Sequence, residues 1–271
     1  MSPGANVVDS RQYRFPFAIE AFAQVPAGFV LPPDFSAFDA GVFLPRGDVD
    51  WLGRRRYPAR ILLLSDHEAL LVPHSATGEQ PLRVPLDRIE RVEWGRILLT
   101  GWIVLNWDDG QISLPYNTRA RGPVEKCVKT LMDRWLPAAQ ARAALVTSDS
   151  GKPLDLKFEY ALSAELLAGE VPLVQFFQPS PAGDLLLVTS RRLLWITERH
   201  KGTYGRYGTV SHSARLPSIA EVRGGLEIAF CSSEPWRIPL REDQVRNARQ
   251  FAAAVGQTLV CAGPPGPAAC G

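Results

Sequence analysis

Apolar and polar positions follow the same pattern in two widely separated stretches. Ile61 to Pro73 reads ILLLSDHEALLVP, and Leu185 to Thr197 reads LLLVTSRRLLWIT. Each is a β-rich apolar run, a polar four-residue break and a second apolar run, the pattern of a hairpin. The correspondence continues downstream, where VPLDRIERV (Val84 to Val92) matches ARLPSIAEV (Ala214 to Val222). GWIVLNWDDGQISLPY (Gly101 to Tyr116) then matches GLEIAFCSSEPWRIPL (Gly225 to Leu240). Asp109-Gly110 predicts a tight turn between two strands, because glycine takes positive φ without steric cost.

Both copies close on a helical period. Val124, Cys127, Val128, Leu131 and Trp135 share one helical face, and Pro137 stops that helix; Val245, Ala248, Ala252, Val255 and Leu259 form the matching stripe. A fainter echo precedes each copy, RFPFAIEAFAQVPAG from Arg14 and KFEYALSAELLAGE from Lys157, read as a short helix or a leading strand. The repeat therefore divides the chain into residues 1–10 as a disordered start, a first domain at 11–136, a linker at 137–153, a second domain at 154–259 and a disordered tail at 260–271.

Several short antiparallel strands followed by one amphipathic helix resembles the pleckstrin-homology-like (PH-like) barrel. The second copy also resembles bacterial PH-like and GRAM-like domains through LLAGEVPLVQFFQP, LLLVTSRRLLWIT and ARLPSIAEV. The first copy does so through ILLLSDHEALLVP and PLDRIERVEWG, and departs from the pattern in the Pro- and Phe-rich VPAGFVLPPDFSAFDAGVF. The resemblance implies a mainly β fold with α+β character at its edges: two tandem PH-like antiparallel barrels, each closed by one amphipathic helix. It also implies a binding module for lipid headgroups, peptides or partner proteins, and the fold does not choose among them.

Composition narrows the setting. A length of 271 residues suits two domains, and 46% hydrophobic against 21% charged residues can bury real cores. The formal net charge of +2 argues against a nucleic-acid binder, whose phosphate contacts call for a strongly basic domain. No apolar run approaches the roughly 20 residues that span a bilayer, and the first residues do not read as a signal peptide, so the expected location is cytoplasmic. The inner membrane face is the second setting considered.

The four cysteines show no CxxC pair and no metal-ligand spacing. Cys127 and Cys231 read as small core residues, and Cys261 and Cys270 as part of the Pro- and Gly-rich tail. Neither a metal nor a cofactor is expected. Catalytic motifs are also missing, with no GxSxG, HExxH, Walker loop or strand-borne GxGxxG. Ser65-Asp66-His67 reads as a polar turn, since three adjacent residues cannot align as nucleophile, base and orienter. An enzyme of unrecognised type stays only as a minor alternative.

Charge placement supplies the main candidate site. Arg191, Arg192, Arg199, Lys201, Arg206 and Arg215 crowd one stretch of the second copy against the single acid Glu198. Forked guanidinium donors there suit an anionic ligand or an acidic partner, although such a run is most often a solvated face. A second basic patch, Arg54, Arg55, Arg56 and Arg60, precedes the first repeated strand. Phe29, Phe35, Phe38 and Phe43 form either a lid over their own barrel or a docking surface. The expected function is non-catalytic binding of a protein partner, and the alternative is peripheral binding to anionic lipid headgroups through the second copy.

Overall fold

The computed structural model describes residues 14–48, 56–97, 99–136, 154–179, 183–200, 203–204, 209–216, 219–223, 226–231 and 234–262. Its strands are β1 (Phe17–Ile19), β2 (Ala40–Leu44), β3 (Gly47–Asp48), β4 (Arg56–Tyr57), β5 (Arg60–Leu64), β6 (Glu68–Pro73) and β7 (Leu82–Pro85). Then come β8 (Ile89–Ile97), β9 (Thr100–Trp107), β10 (Gly110–Asn117) and helix α1 (Arg121–Trp135). Helix α2 (Leu156–Glu165) opens the second half, followed by β11 (Pro172–Gln178), β12 (Asp184–Thr189), β13 (Arg192–Thr197), β14 (Arg199–His200) and β15 (Thr203–Tyr204). The chain closes with β16 (Val210–Arg215), β17 (Ile219–Arg223), β18 (Glu227–Phe230), β19 (Trp236–Arg237) and α3 (Val245–Ala262).

The fold is mainly β, with antiparallel sheets and, among the described residues, three α-helices. No sheet closes into a barrel among the described residues. Two compact units emerge: Met1–Arg88 with Leu98–Trp102 and Ser113–Trp135, and Ile89–Ile97 with Ile103–Ile112 and Leu136–Gly271.

Unit 1 is built on a five-stranded sheet ordered β1-β2-β5-β6-β7. The hairpin read from ILLLSDHEALLVP is β5–β6, with Leu62 opposite Leu71 and Leu63 opposite Leu70. Ile61, Leu62, Leu63 and Leu64 are all fully buried, so both faces of β5 are covered. That is why its residues do not alternate with polar ones. One face packs Ile61, Leu63, Leu70 and Val72 against Phe29, Phe35 and Phe43. Helix α1 packs against β1, β2 and β5, and its expected stripe (Val124, Cys127, Val128, Leu131, Trp135) is buried, joined by Met132.

Unit 2 repeats the hairpin as β12–β13, with Leu186 opposite Trp195 and Leu187 opposite Leu194. Alternate residues of β12 serve two cores. Leu186 and Val188 join Leu193, Ile228, Trp236 and Phe251, with Ala248 and Val255 of α3 in the same cluster. Leu185 and Leu187 face the other way, onto Phe158 and Ala161 of α2. Each fully buried leucine contributes about 1.5–3 kcal/mol of transfer free energy.

The repeat holds strand for strand, but its edges diverge. Ile61 and Leu63 match Leu185 and Leu187 in the repeat; a Phe-rich segment covers the first pair and a helix covers the second. The faint echo ahead of each copy accordingly becomes a strand at Phe17–Ile19 and a helix at Leu156–Glu165. In unit 2, β17, β18 and β19 form their own three-stranded sheet. Their counterpart β8 instead pairs with β16, in a seven-stranded sheet ordered β10-β9-β8-β16-β13-β12-β11. Unit 2 therefore takes in residues 89–97, which the sequence repeat assigns to the first copy.

At the C-terminal end, α3 continues to Ala262, so Cys261 lies in helix and not in the irregular tail expected from the Pro and Gly content. Cys231 is disulfide-bonded, a correction to its reading as a small core residue. Residues 1–10, 137–153 and 263–271 lie outside the described residues.

Candidate functional site

The basic stretch of the second copy does not stay together. Arg191 and Arg192 sit at the β12–β13 turn, and Arg215 lies opposite Arg192 across the β13–β16 ladder. Arg199 lies beyond the far end of β13, in the two-residue strand β14, where it pairs with Tyr204. Lys201 and Arg206 fall outside the described residues.

The two turn arginines face inward. Arg192 is fully buried, and its Nε lies 2.9 Å from Glu170 Oε1. One terminal nitrogen donates to Glu170 Oε2 (3.1 Å) and to the Glu165 carbonyl at the end of α2 (2.6 Å). The other donates to Ser213 Oγ (2.7 Å). A guanidinium has five N–H groups, and these four contacts occupy most of them.

The carboxylate of Glu170 is equally well satisfied. It also accepts from Thr189 Oγ1 (2.6 Å) and from the Leu167 backbone N–H (2.9 Å). Thr189 Oγ1 accepts in turn from the Arg192 backbone N–H (3.0 Å). Arg191 is 6% exposed and donates to the Leu136 carbonyl (3.2 Å). The Arg192 fork is thus spent on the protein itself, and Arg191 is buried beside it.

Arg54 and Arg55 lie outside the described residues, and Arg56 lies on β4. Arg60 begins β5 and is paired with Glu79 at 2.9 Å. The four phenylalanines share the hydrophobic core of unit 1. Phe29, Phe35 and Phe43 are buried, and half-buried Phe38 packs beside them and stands edge-on to Phe22.

A groove in unit 1 has the stronger claim as a recognition surface. It encloses about 280 Å³ between residues 34–39, ahead of β2, and the β5–β6 turn at residues 65–68. Asp34, Asp39, Asp66 and Glu68 converge on it, with Phe35 and Phe38 also in its wall. Arg83 bridges Asp34 (2.6 Å) and Glu68 (3.2 Å). Arg134 of α1 bridges Asp39 (3.1 Å) and Asp66. Two arginines thus offset four carboxylates and leave the groove acidic.

In the turn itself the serine hydroxyl is engaged with backbone. Ser65 Oγ accepts from the backbone N–H of Glu68 (3.2 Å) and of His67 (3.4 Å), so the hydroxyl shapes the turn. Asp108 and Asp109 occupy the tight turn between β9 and β10, as their place before Gly110 implies. Among the described residues no cluster of three or more His, Cys, Asp or Glu is placed to hold a metal, and no helix is long and apolar enough to cross a membrane.

No protein-family model, curated protein or solved structure matches the chain.

The arginine clamps across the groove are solvent-exposed, and exposed ion pairs contribute only about 0–1 kcal/mol each. Asp34 and Asp66 keep 69% and 58% of their side-chain surface exposed. Such carboxylates can exchange an internal guanidinium for an incoming one at little cost. Sequence reading missed the groove because its charges come from four distant segments. It also missed Glu170, whose signal was an acid directly ahead of the apolar run VPLV.

Proposed function

We propose that the chain is a non-catalytic recognition protein built from two PH-like β-modules, and that it binds a protein partner. The observation that carries this reading is the unit 1 groove, where four carboxylates surround aromatic side chains. A partner segment with spaced Lys or Arg residues suits it: the aliphatic stems lie on Phe35 and Phe38, and the cationic heads reach the rim. The module assignment draws on the repeated order of hairpin, third strand, three-strand ladder and C-terminal helix, β5-β6-β7-β8-β9-β10-α1 and β12-β13-β16-β17-β18-β19-α3. A cytoplasmic setting goes with this reading.

The test is affinity capture from native cytosol, comparing wild type with a D34K/D66K variant that alters only exposed positions. A stoichiometric partner retained by wild type and lost by the variant supports the groove. Equal recovery by both removes it. Sedimentation with anionic liposomes, weakened by salt, would replace it with the headgroup reading. The burial of Arg191 and Arg192 argues against that outcome.

A further inference from the structure

The seam between β8 and β16 carries an ionisable pair on the face of the sheet that packs the main core of unit 2. In register across three strands lie Trp195 on β13, His212 on β16 and Glu93 on β8. The imidazole stacks on the Trp195 ring, with centroids 4.5 Å apart and planes 20° from parallel. Trp236 meets the same imidazole at 5.6 Å and 63°. His212 Nδ1 lies 3.5 Å from Glu93 Oε2, and the two side chains are only 16% and 26% exposed. That distance is long for a hydrogen bond of a neutral imidazole and suits an ion pair once the ring is charged.

We propose that His212 is a proton-operated fastener of β8 to β16, clamping the seam when protonated and loosening it when neutral. A charged imidazole gains on both sides: attraction to Glu93, and cation–π contact with the face of Trp195. The neutral ring keeps its aromatic contacts and loses the charge-dependent ones. The remaining charged groups around it are placed as follows. Arg91, on β8, lies over the Phe230 ring at 4.8 Å and donates to the Glu234 carbonyl (2.7 Å). Asp184 of β12 accepts from Trp195 Nε1 (3.0 Å). On the neighbouring ladder, Glu227 is paired with Arg223 and Arg237. Arg91 opposes protonation, and Glu93 is the nearest carboxylate in favour of it.

On this proposal the Glu93 charge and the Trp195 face outweigh both Arg91 and the cost of burying a charged ring. A clamp that favours the charged ring is fully formed at pH values below the imidazole's unfolded range, about 6.5, and is lost as pH rises through the folded titration. The seam joins a strand of the first sequence repeat to one of the second, so its fastening bears on the continuity of the seven-stranded sheet.

The test uses the full chain, with H212Q and E93Q as variants. E93Q keeps the aromatic stack and the side-chain shape while removing the counter-charge. Wild type is expected to lose tryptophan emission as pH falls from 8 to 5, since a charged imidazole against an indole quenches it. Its urea midpoint should fall more steeply than that of H212Q between pH 5 and 8, and E93Q should give an intermediate slope. Parallel urea profiles for wild type and H212Q, or a pH-independent difference in emission between them, would overturn the proposal. If H212Q does not fold, a wild-type slope indistinguishable from that of E93Q would overturn it equally.

Discussion

Arg192 and Glu170 face one another with no side-chain surface exposed on either, their Nε and Oε1 atoms 2.9 Å apart. The pair ties the start of β13 to the chain two residues ahead of β11, and through Ser213 and the Glu165 carbonyl to β16 and α2. It is the polar centre of unit 2 and rests on complete hydrogen bonding, because either charge left alone in that place would be strongly destabilising.

Removing one member should therefore cost far more than removing both. Arg192→Met or Glu170→Met alone is expected to destabilise by about 3–5 kcal/mol, the range for breaking a buried pair. The double variant R192M/E170M should recover much of that loss. Urea denaturation of the full chain measures the cycle, and additive losses would mean that the two residues act independently.

The same carboxylate sets an acid limit on stability. Burial alone would push Glu170 up, but the adjacent Arg192 charge and the hydrogen bonds from Arg192, Thr189 and the Leu167 N–H outweigh it and hold the group below the usual range. A depressed folded value contributes stability in full above the unfolded value of about 4.3, and that stability is lost as pH falls through the lower folded value. The urea midpoint of wild type should therefore drop more steeply with acid than that of E170Q. Equal acid slopes would rule this out.

Gly28 is held at φ +87°, and a β-carbon there would lie 2.5 Å from His74 Nε2. Its carbonyl accepts from the Ser75 N–H (2.7 Å), which fixes the Phe29 segment over the sheet. Gly28→Ala should cost at least about 1–2 kcal/mol from the left-handed backbone alone. The readout is a lower urea midpoint, and Gly78→Ala makes a useful comparison: that glycine has φ +71° but open space around it.

Cys127 is a free thiol buried on α1, and burial pushes its pKa up to about 12. The thiolate is the reactive form, so iodoacetamide at pH 8 should leave Cys127 unmodified in the folded chain and label it once urea unfolds unit 1. Cys231 should label only after a reductant opens its disulfide. Peptide mass mapping separates the two residues.

The hairpins, the DG turn and the helical stripe of α1 were legible in the sequence because local periodicity and turn chemistry specify them. ILLLSDHEALLVP and LLLVTSRRLLWIT formed equivalent hairpins, and Val124, Cys127, Val128, Leu131 and Trp135 were buried together. What covers each hairpin was not legible. Ile61 and Leu63 carry no mark that a Phe-rich segment lies on them, nor do Leu185 and Leu187 of a helix. The direction of a charged side chain was equally hidden: RR reads alike on a wet turn and against a buried glutamate 22 residues away. Tertiary structure alone decided that Arg192 is internal, that β8 pairs with β16, and that Asp34, Asp39, Asp66 and Glu68 share one groove. The physical reason is common to all three. Periodicity reports which positions lose water, whereas the partner that replaces the water is chosen by packing between segments far apart in the chain.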